Sequence, residues 1–189
     1  DDVLALHFHG LVSRSDSVEA RCPLREFARS VDDDGTPFNA RRVPRVSFST
    51  IISTEELADR LGDPSIVVVD VRSSLADAGY GERAFALGHI PGAVYADLNR
   101  DLSDPPGGGR GRHPLPDVGT MSATFGGMGI SRDLQVVVYD DAGGMIAGRL
   151  WWMLRWLGHD AAALLDGGWP QWQQEGRPVC AGTETRAAR

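Results

Sequence analysis

Apolar positions show no steady period over the first 48 residues. There Arg14, Arg21, Arg25, Arg29, Arg41, Arg42 and Arg45 alternate with acids such as Asp16, Glu19 and Asp32 to Asp34. Such a segment buries little surface, so residues 1–48 are expected to be irregular or disordered. From Ile51 the order changes. Ser53-Thr54-Glu55-Glu56 ahead of Leu57 reads as a helix start, with Ser53 as N-cap and Glu56 completing a capping box. Gly62, with Pro64 beyond it, is the expected stop. Ile66-Val67-Val68-Val69-Asp70-Val71 is a β-branched run of the kind a strand buried on both faces requires. Arg72 to His89 reads as a long irregular stretch, followed by the turn Ile90-Pro91-Gly92 and a short strand around Ala93 to Ala96.

Pro105, Pro106, Pro114 and Pro116, with Gly107 to Gly109, mark residues 103–119 as a surface loop, and a helix from about Met121 to Met128 follows. Gln135-Val136-Val137-Val138-Tyr139-Asp140 is a second buried strand. After the loop Asp141 to Ile146, the residues Leu150, Trp151, Met153, Leu154 and Leu157 fall at helical spacing up to Gly158. Ala161 to Leu165 makes a third strand, Gly167-Gly168 a turn, and Trp169 to Glu175 a short helix. Strands alternating with helices predict an α/β domain, a central parallel sheet flanked by helices, because parallel strands need crossovers. The five tryptophans all fall in the last two helices and read as helix-on-sheet packing rather than an aromatic ligand box.

A length of 189 residues allows one domain plus a tail. With 26 acidic against 19 basic side chains the net charge is −7, which argues against nucleic acid or an anionic membrane as partner. Every basic residue is arginine, a sign of coding bias rather than chemistry. No apolar run approaches the roughly 20 residues of a membrane span. Val3 to Leu6 is too short for a signal core and follows Asp1 and Asp2, so a cytoplasmic, reducing setting is the expectation. Two cysteines, Cys22 and Cys180, build no disulfide framework and read as ordinary thiols. The first residue is Asp, which reads as a fragment or an unusual start.

Ligands of parallel sheets bind beyond the carboxyl ends of the strands, which singles out the loop after Tyr139 and Asp140. Gly143 and Gly144 let successive N–H groups turn inward around an anion. Asp141 would sit above that cradle, either as a phosphoryl-transfer nucleophile paired with Asp140 or, the preferred reading, as a carboxylate that fills the cradle itself. His7 and His9 form a His-x-His pair without further ligands nearby, so no metal and no cofactor are expected. Asp70 and Arg72 read as a local ion pair, and Arg110 with Arg112 as a solvated loop.

Several stretches recur together in one order: Ile52 to Leu57, Val69 to Arg72, Gly88-His89-Ile90-Pro91-Gly92-Ala93, His113 to Pro116, Gly129-Ile130, Val138 to Asp140, Arg149 to Trp152, and Leu165 to Trp169 with Trp172, Glu175-Gly176 and Pro178. Through them residues 49–180 resemble a rhodanese domain, the N-terminal one of the two-domain thiosulfate/3-mercaptopyruvate sulfurtransferases. The resemblance implies a parallel sheet flanked by helices. It also implies transfer of a sulfane sulfur through a cysteine persulfide to a thiol or cyanide acceptor. In active modules the loop opens with that cysteine, with glycine three residues on and alanine six on. Gly144 and Ala147 keep those offsets from Asp141, so Asp141 stands where the cysteine would be, and Asp141, Ala142, Gly143, Gly144, Met145 and Ile146 form a pseudo-active loop. A carboxylate cannot carry a persulfide, so no catalytic residue is assigned. The implied partner is a second, catalytic rhodanese domain missing from this chain, which Met145, Ile146 and Trp152 would face. His89 is implied to be structural, and residues 181–189 a tail or interdomain linker. The alternative is a catalytically silent, stand-alone binding or regulatory module; an aspartate-based phosphotransfer domain is weaker.

Overall fold

The computed structural model describes residues 47–184 and 186–188. His7, His9 and Cys22 lie outside the described residues, as does nearly all of the segment expected to be irregular. Five strands, β1 (Ile51–Ile52), β2 (Ile66–Asp70), β3 (Val94–Tyr95), β4 (Gln135–Tyr139) and β5 (Ala162–Leu165), form one parallel sheet in the order β1-β5-β4-β2-β3. The helices are α1 (Thr54–Ala58), α2 (Tyr80–Leu87), α3 (Val118–Gly127), α4 (Ala147–Trp156) and α5 (Gly168–Gln174).

Alternation along the strands builds a core on each face. Val67, Val69, Val136 and Val138 turn to one side, where Met121 and Phe125 of α3 and Leu150, Met153 and Leu154 of α4 cover them. Ile66, Val68, Val137 and Tyr139 turn to the other, under Leu57 of α1, Phe85 of α2 and Trp169 and Trp172 of α5. This explains why β2 and β4 are apolar at nearly every position: a strand covered on both faces has no solvent side.

The capping box forms as the sequence predicts. The Ser53 hydroxyl accepts the Glu56 N–H at 3.2 Å and the Glu56 carboxylate accepts the Ser53 N–H at 3.1 Å. Helix α1 nevertheless closes at Asp59, before Gly62, because the Arg60 and Leu61 N–H groups bond three residues back rather than four. Helix α3 starts earlier than expected, at Val118, since the Asp117 side chain accepts the Gly119 and Thr120 N–H groups at 2.8 and 3.0 Å. Two elements went unforeseen. Strand β1 is only two residues long and shows no period. Helix α2 lies within the stretch read as irregular; it has no side-chain cap and holds Gly81, where a Cβ would strike the Arg72 carbonyl and the Tyr95 hydroxyl.

The tryptophans divide. Trp169 and Trp172 are buried as expected, and Trp151 is half-buried with its indole N–H on the Ala162 carbonyl at 2.9 Å. Trp152 and Trp156 instead stay 48% and 51% exposed and stack on each other, centroids 5.7 Å apart. Their positions one turn apart on α4 place them beside each other, away from the sheet. After α5 the chain lies along the domain as a strap. Cys180 bridges His89, the Gly182 N–H reaches the Ala86 carbonyl at 2.8 Å, and Arg186 donates to the Ile66 and Pro64 carbonyls at 2.9 and 3.0 Å. Cys180 is buried and disulfide-bonded rather than the ordinary thiol the sequence led us to expect. No helix among the described residues is long and apolar enough to cross a membrane.

Candidate functional site

Chain order reverses across the sheet between β2 and β4, which opens a crevice at their carboxyl ends. Asp70 and Tyr139, opposite each other in register, end those strands. Asp70 is buried. It pairs with Arg72 through Nη2 at 2.6 Å and Nε at 3.0 and 3.1 Å, and accepts the Tyr139 hydroxyl at 2.7 Å. Burial pushes the Asp70 carboxyl up, against the pull of the guanidinium; burial also works against the Arg72 charge, but Asp70 holds Arg72 above its ordinary value. Arg72 also donates to the Gly88 carbonyl at 2.6 Å and lies 4.4 Å over the Trp169 ring. Asp70 and Arg72 are thus a buried structural pair that ties β2 to α2 and α5.

The loop after β4 is a cradle of backbone donors. Gly143 and Gly144 take φ of 68° and 86°, which turns the amides inward. The carboxylate they enclose is that of Asp140, one residue before the Asp141 we expected there. Its Oδ1 accepts the Ala142 and Gly144 N–H groups at 2.9 and 2.8 Å, and its Oδ2 those of Ile146 and Ala147, both at 2.8 Å. Asp140 is 1% exposed. The reason lies in the strand: Tyr139 points into one core, so the next side chain points under the loop and the one after it leaves for the rim. Asp141 is half-buried there and accepts the Tyr80 hydroxyl, which holds the phenol above its ordinary range. The Asp140 carbonyl in turn accepts the Trp169 N–H at 2.9 Å. Gly168, at φ 55°, lets α5 come that close, because a Cβ would collide with that oxygen.

Of the other loop residues, Ala142, Gly143 and Met145 are exposed, and Ile146, expected at the loop tip, is buried where it leads into α4. Nearby, Arg149 holds the 97–114 loop by donating to the Leu102, His113 and Pro114 carbonyls at 2.8–3.3 Å. Sequence reasoning passed over a pair in that loop: His113 Nε2 lies 3.1 Å from Asn99 Oδ1. Burial, with Arg112 and Arg149 nearby, pushes the His113 imidazole down. Fourteen residues separate the two, and no local pattern joins them.

A family model described as "Rhodanese-like domain" matches residues 53–175, from the capping box of α1 to Glu175 beyond α5. The chain belongs to the rhodanese-like domain family. Within that family it is 45% identical over 133 residues to a Pseudomonas aeruginosa protein named "Probable 3-mercaptopyruvate sulfurtransferase", covering 69% of this chain and 47% of that one. It is 34% identical over 154 residues to thiosulfate/3-mercaptopyruvate sulfurtransferase 2 of Arabidopsis thaliana, covering 81% and 44%. The solved structure of 3-mercaptopyruvate sulfurtransferase from Leishmania major superimposes with a TM-score of 0.69 at 31% identity, covering 78% of this chain and 40% of that one. The rhodanese domain described here therefore spans about half the length of the curated relatives it matches, or slightly less.

Proposed function

We propose that this chain is the non-catalytic rhodanese domain of a two-domain sulfurtransferase. Its catalytic half would move sulfur from thiosulfate or 3-mercaptopyruvate to a thiol or cyanide acceptor. The observation that carries this reading is the Asp140 carboxylate seated in the amide cradle. Transfer through a persulfide needs a thiolate whose charge the loop amides and helix dipole hold. Here those amides hold a hard oxygen anion instead, and Asp141 beside it is engaged by Tyr80. Cys180 is disulfide-bonded on the strap and belongs to no such cradle. The same geometry disfavours phosphoryl transfer through aspartate, because both Asp140 oxygens already accept two amides each. A catalytic partner domain is supported by the names of the relatives and by their roughly double length. A stand-alone silent module shares the filled cradle but gains no observation of its own.

The purified 189-residue chain should form thiocyanate from thiosulfate and cyanide only at the background rate. The intact product of its gene, with its catalytic half, should turn over. Enzymatic thiocyanate production by this chain alone would overturn the reading. So would a gene that encodes, downstream and in every frame, no rhodanese module whose loop opens with cysteine.

A further inference from the structure

We propose that His89 and Glu184 form a proton-operated latch that clamps the C-terminal strap to the end of α2. The His89 ring is fully buried and stacks on Phe85 with centroids 3.9 Å apart. Its Nδ1 lies 2.8 Å from the Phe85 carbonyl oxygen. A carbonyl only accepts, so Nδ1 carries the proton of the neutral ring. Nε2 is then a buried lone pair with no hydrogen-bond partner among the described residues. Facing it at 3.8 Å is Oε1 of Glu184, on the strap. Two acceptors confront each other, and neither can donate. Protonation of His89 turns Nε2 into a donor aimed at that carboxylate and makes the contact a charge-assisted bond.

The backbone around the pair is already set for this. His89 and Cys180 exchange two backbone hydrogen bonds at 2.9 Å, and the Gly182 N–H bonds the Ala86 carbonyl. The neighbouring charges leave Glu184 as the responsive partner. Arg72, bound to the Gly88 carbonyl, is neutralised by Asp70; the Tyr139 hydroxyl is taken up by Asp70 and the Ile90 N–H; Glu82 and Arg83 of α2 are exposed. The latch stands apart from the Asp140 cradle and does not rest on the proposed function. In a two-domain enzyme the strap would lead toward the catalytic half, so the latch would bear on how that half is seated.

Two NMR measurements on the full chain test it. In Glu184→Gln the His89 ring resonances should respond to pH differently from those of the natural chain, because the carboxylate facing Nε2 has lost its charge. Exchange of the Gly182 amide, corrected for its intrinsic pH dependence, should slow at least about fivefold between about pH 8 and about pH 6 in the natural chain, and not in Glu184→Gln. A His89 titration unchanged by Glu184→Gln overturns the proposal. A His89 that stays neutral throughout, or Gly182 protection indifferent to pH, does so equally. Glu184 is only partly buried, so its substitution leaves the fold intact.

Discussion

Replacing Asp140 by alanine removes the common acceptor of four backbone N–H groups that it holds at 2.8–2.9 Å. A hydrogen bond to a charged group contributes about 1.5–3 kcal/mol net, so four taken singly sum to about 6–12 kcal/mol. They share one carboxylate, and water can enter the emptied cradle. The expected loss is therefore nearer about 3–5 kcal/mol, the size seen when a buried polar network loses its centre. For a domain of this size that lowers Tm by roughly 10–15 °C. Asp141→Ala is the matched control. It removes one acceptor from a half-buried Tyr80 and should cost less than about 1 kcal/mol. Urea titration followed by circular dichroism resolves the difference. Sulfate should restore part of the stability of Asp140→Ala and leave Asp141→Ala unmoved, because only the first opens an amide nest to an anion. If Asp141→Ala proves the more damaging, the cradle assignment is wrong.

Gly168→Ala should destabilise by more than about 2 kcal/mol, since it combines a left-handed φ with a collision at the Asp140 carbonyl; thermal melts showing a neutral effect would contradict the close approach of α5. Hydrogen bonds from Thr54 and Gln171, with Arg177, hold the Glu175 carboxyl down at about 2. A depressed folded-state value means this clasp between α1 and α5 is fully present above the ordinary glutamate range and is lost as pH falls through it toward about 2. Glu175→Gln should flatten that part of the acid-unfolding profile, and an unchanged profile would remove Glu175 from the explanation. The double variant Trp152→Ser, Trp156→Ser should change Tm little, because both rings already meet solvent. A large drop in Tm would mean they are packed after all.

Much of this fold is legible in one dimension because its determinants are local or periodic. The β-branched runs 66–69 and 136–138 read as strands covered on both faces. The capping box at Ser53 and Glu56 involves residues three apart, and the glycines at 143, 144, 167 and 168 announce backbone turns that side-chain-bearing residues resist. An anion-cradling loop at the end of β4 follows from the same signals. What stayed hidden depends on partners far along the chain. Helix α2 forms because Phe85 docks on the second core and Gly81 fits under Tyr95; neither fact is visible between residues 72 and 89. Adjacent aspartates are indistinguishable by composition or spacing. Only the direction in which Tyr139 enters the core decides that Asp140 goes beneath the loop and Asp141 to its rim. The exposure of Trp152 and Trp156 and the burial of Ile146, Cys180 and His89 are likewise set by which face of a helix or strap meets the sheet. The order of residues determined a parallel α/β sheet and an amide cradle, since backbone preference and burial period act over a few residues. Packing in three dimensions chose which carboxylate the cradle holds.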